Sequence, residues 1–177
     1  MTNQPTYSLW LLPTDPEQRQ AYDTAIKTLA ETYHAPAFIP HITIWPDATQ
    51  SLAEIIELVT PAVSGISPVV LQALGLGQGE TYSQCVYQVF DRTPEMIAVR
   101  DAVIKALNLS ASAANWLVHL SLLYGDFPIE QKIQAREHLE TLSLPTKWMA
   151  NELIVILSDP DPLKWKQVAT IPFLGKG

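Results

Sequence analysis

Two short runs in this sequence hold the residue types that can do acid–base chemistry. They are His41-Ile42-Thr43-Ile44 and His119-Leu120-Ser121-Leu122. Side chains alternate faces along an extended strand, so residues i and i+2 share one face. Each run therefore presents an imidazole and a hydroxyl together and sends two aliphatic side chains into a core. An imidazole can accept or donate a proton near neutral pH, its unperturbed pKa being about 6.5. Two of them supply a base for water and an acid for a leaving oxygen, each worth about 10²–10⁴ in rate. The hydroxyls, with backbone N–H groups, can hold the non-bridging oxygens of a phosphate. These are the parts needed to hydrolyse a cyclic phosphodiester. Either run alone reads as an ordinary core histidine; the matched pair carries the reading. A rate that follows a bell in pH, with limbs on either side of about 6.5, is expected of one neutral and one protonated imidazole.

The elements that must position these runs can be read from spacing. Thr6–Leu12 is a short apolar strand ended by Pro13. Asp15 caps a helix that starts at Pro16, with Tyr22, Ile26, Leu29 and Tyr33 on its inner face. Phe38–Trp45 reads as the first histidine strand, stopped by Pro46-Asp47. Ser51 and Glu54 form a capping box for a helix to Val63, with Leu52, Ile55, Ile56 and Val59 inward. Pro68–Leu76 and Gln84–Phe90 read as strands joined by a glycine-rich turn, Gly75-Leu76-Gly77-Gln78-Gly79. That turn lacks the lysine and following helix of a phosphate-binding loop.

The second half repeats this logic. Thr93–Leu107 is a capped helix with Ile97, Val103, Ile104 and Leu107 as apolar marks, and Leu117–Tyr124 is the second histidine strand. A helix over Pro128–Leu142 follows, then strands over Lys147–Ser158 and Trp165–Phe173 around an Asp-Pro-Asp-Pro turn. The expected class is α+β: one bilobal domain over residues 1–177, with pseudo-two-fold duplicated lobes, each an antiparallel sheet flanked by helices, and a central cleft.

Composition limits the function. Hydrophobic residues are 47% and charged residues 16%, enough apolar material for a core. The net charge is −7 with eleven basic residues scattered along the chain. A binder of long nucleic acid needs a dense cationic footprint, so none is expected. Cys85, the single cysteine, reads as a core thiol. Met1–Pro5 has no basic residue and leads into no long apolar stretch. A soluble, cytoplasmic monomer with no membrane partner is expected. His34, at a helix end, and His138, on a charged helix face, are expected in solvent. Asn108-Leu109-Ser110 matches a glycosylation triplet, which the missing signal segment makes moot. No His-Glu-x-x-His run and no carboxylate cluster stands near either motif histidine, so a metal-free reaction with no cofactor is expected.

The two runs, in this order and about 80 residues apart, resemble the paired H-x-[ST]-x signature of the two-histidine (2H) phosphoesterase superfamily. Tyr7-Ser8-Leu9-Trp10 before Pro13, Gln84-Cys85-Val86 and His119-Leu120-Ser121-Leu122-Leu123-Tyr124 resemble its cyclic phosphodiesterase branch known from plants. The resemblance implies opening of ADP-ribose 1″,2″-cyclic phosphate to the 1″-phosphate, and of nucleoside 2′,3′-cyclic phosphates to 2′-phosphates. It makes His41 and His119 the acid–base pair, with His119 as base and His41 as acid, and Thr43 and Ser121 phosphate ligands. Tyr124, Trp10 and Tyr82 become candidates for stacking on a base or ribose. The partner is a small cyclic-phosphate nucleotide. The early stop at Trp45-Pro46 departs from that branch and implies a different rim. Two rival readings are an RNA-end 2′,3′-cyclic phosphodiesterase or 2′–5′ RNA ligase of the same superfamily, and a non-catalytic nucleotide-binding module.

Overall fold

Local capping sets the helices. In a computed structural model that describes residues 4–110 and 116–176, Asp15 accepts bonds from the N–H groups of Glu17 and Gln18 and opens α1 (Pro16–Tyr33). Ser51 and Glu54 close their reciprocal box at the start of α2 (Leu52–Val63). Thr93 accepts from Met96 N–H at the start of α3 (Pro94–Ala106), and α4 spans Ile129–Glu140. The strands are β1 (Tyr7–Leu11), β2 (Ile42–Ala48), β3 (Val69–Gln78), β4 (Val86–Phe90), β5 (His119–Leu123), β6 (Lys147–Ala150), β7 (Glu152–Leu157) and β8 (Lys166–Pro172). Of the N-terminal stretch read above, Met1–Asn3 lie outside the described residues. No helix among the described residues is long and apolar enough to cross a membrane.

All eight strands join one antiparallel sheet in the order β6-β3-β4-β5-β2-β1-β7-β8. The order is pseudo-symmetric about the β5–β2 contact: β4 answers β1, β3 answers β7 and β6 answers β8. The fold is the expected α+β duplication with two related lobes. The lobes share a single curled sheet rather than having one each. Each lobe's first helix packs on the other lobe's histidine strand, α1 on β5 and α3 on β2. Tyr22 on α1 is fully buried and donates from Oη to Gln88 Oε1 on β4 at 2.6 Å, so a polar link also ties the lobes.

Four local expectations are corrected. β2 begins at Ile42 rather than Phe38 and runs through Pro46 and Asp47 to Ala48. Two register shifts in its pairing with β1 absorb the proline, which lacks an N–H for the ladder. Asp47 takes φ 46° there. The glycine-rich run is not a turn: Gly75–Gln78 belong to β3, and the connection is a short 3₁₀ turn, Tyr82–Gln84. Lys147–Ser158 is two strands on opposite wings of the sheet, bent at Asn151. On the helices, Ile56 is exposed, Ile97 and Ile104 are half-buried, and Met96 and Val99 take the deepest positions in α3.

The free edge of β6 is closed by the segment after β1. Thr14 donates from N and Oγ1 to Met149 O, and Gln18 donates from Nε2 to Lys147 O. Covered carbonyls of this kind remove a template for edge pairing.

Candidate active site

The two histidine strands meet at one pair, Ile42 opposite Leu120. Continuing that antiparallel register by one residue sets His41 opposite Ser121 and Thr43 opposite His119. Directly opposed residues share a face, so the four polar residues of the two runs lie on one side of the sheet. Ile42, Ile44, Leu120 and Leu122 fill the core behind them, each at most 1% exposed.

Both imidazoles are held in the same way. His41 Nδ1 lies 2.6 Å from Ile39 O, and His119 Nδ1 lies 3.0 Å from Leu117 O. A carbonyl only accepts, so each Nδ1 carries the proton and each Nε2 keeps its lone pair in the neutral ring. The sequence motif does not contain these clamps, because they come from the backbone two residues upstream.

The surroundings of the two rings differ. His41 is buried and stacks on Trp10, with centroids 3.6 Å apart and planes 12° apart, while Trp165 meets it edge-on at 5.6 Å. Burial pushes His41 down to about 4 from the ordinary 6.5, against the raising effect of the Ile39 carbonyl and with the help of the His119 charge. His119 is half-buried, with Tyr87 edge-on at 5.3 Å. Burial lowers its pKa too, partly offset by the Leu117 carbonyl.

A cavity of about 620 Å³ opens on the His41 side. His41, Thr43, Trp10, Tyr82 and Tyr124 line it; His119 and Ser121 adjoin it on β5 without forming its wall. Ser121 Oγ donates to Ser83 O at 2.7 Å. A phosphate at Ser121 must therefore compete with the Ser83 carbonyl. Trp10 is 3% exposed, with one face of its ring stacked on His41. Tyr124 is 7% exposed and stacked on Phe38 at 3.8 Å, and burial raises its pKa. Tyr82, on the same wall, is 47% exposed. Trp165 was missed by the sequence reading, which took it only as a strand start. It touches Trp10, His41 and Tyr124 edge-on, and its Nε1 donates to Asp159 O at 2.8 Å. A second depression of about 450 Å³, at the start of α1 against β6, contains neither motif. His34 and His138 are exposed, and Cys85 is buried with its thiol pKa raised by burial.

A family model described as cyclic phosphodiesterase-like protein matches residues 6–144. A cyclic phosphodiesterase of Arabidopsis thaliana is 28% identical over 136 residues, covering 77% of this chain and 74% of its own. Among solved structures, TT0787 of Thermus thermophilus superposes with a TM-score of 0.64 at 12% identity, covering 97% of this chain and 100% of that one. LigT of E. coli in apo form gives 0.62 at 15% identity over 97% and 99%. The same protein complexed with 3′-AMP gives 0.60 at 13% over the same shares. At these identities the superpositions speak to the fold.

Proposed function

Because this chain belongs to the cyclic phosphodiesterase-like family of two-histidine phosphoesterases, we propose that its cleft hydrolyses cyclic phosphates on ribose with His41 and His119 as the acid–base pair. The observation that supports this most is the matched clamp on the two rings: Nδ1 of each is tied to the carbonyl two residues upstream, which frees both Nε2 atoms. The Arabidopsis relative's name and the 3′-AMP held by LigT agree with a small nucleotide as ligand. The reading takes the protein as a monomer that needs no cofactor and no metal.

One imidazole accepts a proton from water as the water oxygen attacks phosphorus. The other gives a proton to the ribose oxygen as its bond to phosphorus breaks. A nucleoside 2′,3′-cyclic phosphate yields the 2′-phosphate by loss of the P–O3′ bond, and ADP-ribose 1″,2″-cyclic phosphate yields the 1″-phosphate. Solvent restores the proton that has passed across the site. Thr43, on the cavity wall, and Ser121, after release from Ser83, donate to the non-bridging oxygens. Tyr82 offers its ring to the base or ribose.

The electrostatics of the free site favour an order of roles opposite to the one the resemblance implies. Burial lowers both imidazoles, and His41, the more deeply buried ring and the one stacked on Trp10, is the costlier to charge, which supports His41 as base and His119 as acid. A linear phosphodiester with an activated aryl leaving group tests this. Such a substrate needs no acid, so it should restore turnover to His119→Ala and not to His41→Ala. Rescue of His41→Ala alone would reverse the roles. Turnover of ribose cyclic phosphates, measured with and without EDTA, tests the reaction itself: activity in EDTA is expected, and a protein that binds these nucleotides without opening them is a binding module instead.

A further inference from the structure

Tyr87 on β4 lies across the glycines at the end of β3. A Cβ on Gly77 would meet its Cε2 at 2.6 Å and its Cζ at 3.0 Å, and a Cβ on Gly79 would come within 3.5 Å of its Cε1. The ring thus spans both glycines, one edge over each, and fills the space that side chains there would take. Its hydroxyl donates at 3.4 Å to the carbonyl of Gln78, the residue between them. The same ring meets the His119 imidazole with centroids 5.3 Å apart and planes 67° apart. Tyr87 is not part of the cavity wall.

The pseudo-symmetry of the sheet supplies a second observation. Tyr87 on β4 pairs with Ser121, the hydroxyl of the second run, as Trp10 on β1 pairs with Thr43, the hydroxyl of the first. Each ring therefore reaches the histidine of its run diagonally, two residues back on the neighbouring strand, a span that aromatic side chains cover. Trp10 does so by stacking flat on His41, whereas Tyr87 meets His119 at a steep angle. The carbonyl of Leu117 fixes only one atom of the His119 ring, Nδ1. A ring held at one atom can still tilt about that bond, and a second contact removes the tilt.

Resting on the cyclic phosphodiesterase reading, we infer that Tyr87 is a positioning residue for His119. Seated on Gly77 and Gly79, it braces the imidazole against tilting, so that Nε2 keeps one direction. Proton transfer depends steeply on such placement, and an error of about 1 Å can cost about 10²-fold. The glycine-rich run is the seat of that brace.

The test compares Tyr87→Phe, which keeps the ring, with Tyr87→Leu and Tyr87→Met, which do not. Two replacements are used so that misfolding of one leaves the other. With adenosine 2′,3′-cyclic phosphate as substrate, Tyr87→Phe should keep kcat within about twofold, since it loses only the long bond to Gln78 O. The variants without the ring should lose about ten- to a hundredfold in kcat. Their KM should change by less than about threefold, because substrate binding is left in place. The Nδ1–H protons of the two histidines, followed by nitrogen-filtered proton NMR, read the rings without turnover. The His119 signal should persist in the unaltered protein and in Tyr87→Phe and exchange rapidly with water in the other two, while the His41 signal persists throughout. A kcat that survives loss of the ring, an equal fall in Tyr87→Phe, or a change in KM alone overturns the inference. If the unaltered protein opens no cyclic phosphate, the cyclic phosphodiesterase reading falls, and the two imidazole signals still decide whether Tyr87 holds His119.

Discussion

The imidazole of His41 makes the sharpest statement about pH. A mechanism with one proton shared by two rings is most active between their two pKa values. Both lie below 6.5 in the free protein, His41 at about 4. The kcat/KM profile, which reports the free protein, should therefore peak on the acid side of 6.5 and fall towards both lower and higher pH. This moves the bell expected from unperturbed histidines. The kcat profile should lie at higher pH than kcat/KM, because a bound phosphate anion favours the imidazolium. A kcat/KM maximum above pH 7 would contradict the lowering of both imidazoles by burial. Replacing Trp10 by leucine removes the ring that covers His41, admits water and should shift the acid limb towards 6.5, while a purely structural loss would lower the rate at every pH alike. The four motif residues were legible because they are close in sequence and strand alternation alone orients them. Trp165 was not, because its contact with His41 joins segments more than a hundred residues apart.

At the level of elements, glycine in β3 has a packing reason rather than a turn reason. Gly77 lies opposite Tyr87 on β4, and a Cβ there would meet Tyr87 Cε2 at 2.6 Å. The ring can move, but it stands against His119. Gly77→Ala should then lower kcat/KM about tenfold through a displaced His119, with little change in Tm; an unchanged rate would show that Tyr87 does not support the ring. Tyr22→Phe tests the link between α1 and β4. It strands Gln88 Oε1 in the core and should cost about 1–3 kcal/mol in denaturant unfolding with the slope unchanged. Helix starts were readable because a cap is a local pattern, as at Asp15, Ser51 and Thr93. The end of β2 was not. Whether a proline stops a strand depends on the partner strand, and β1 accommodates Pro46 by shifting register twice.

Across the whole molecule, charge and topology set the remaining behaviour. With a net charge of −7 and no cation on the cavity wall, hydrolysis of a cyclic mononucleotide should change little between low and physiological salt. An RNA-end substrate would instead weaken steeply as salt rises, so the two salt responses separate these readings. The duplication was visible in the sequence as two similar halves. The single sheet was not, because the chain after residue 146 completes both wings, β6 on one and β7–β8 on the other. That bend at Asn151 has a consequence for synthesis. Ser8 and Ser158, which touch in the finished fold, are 150 residues apart. At about 5–20 residues per second, β1 waits on the order of ten seconds for its outer neighbour. Until β7 is made, β1 has β2 on one side only, and its other edge keeps its N–H and C=O groups unpaired.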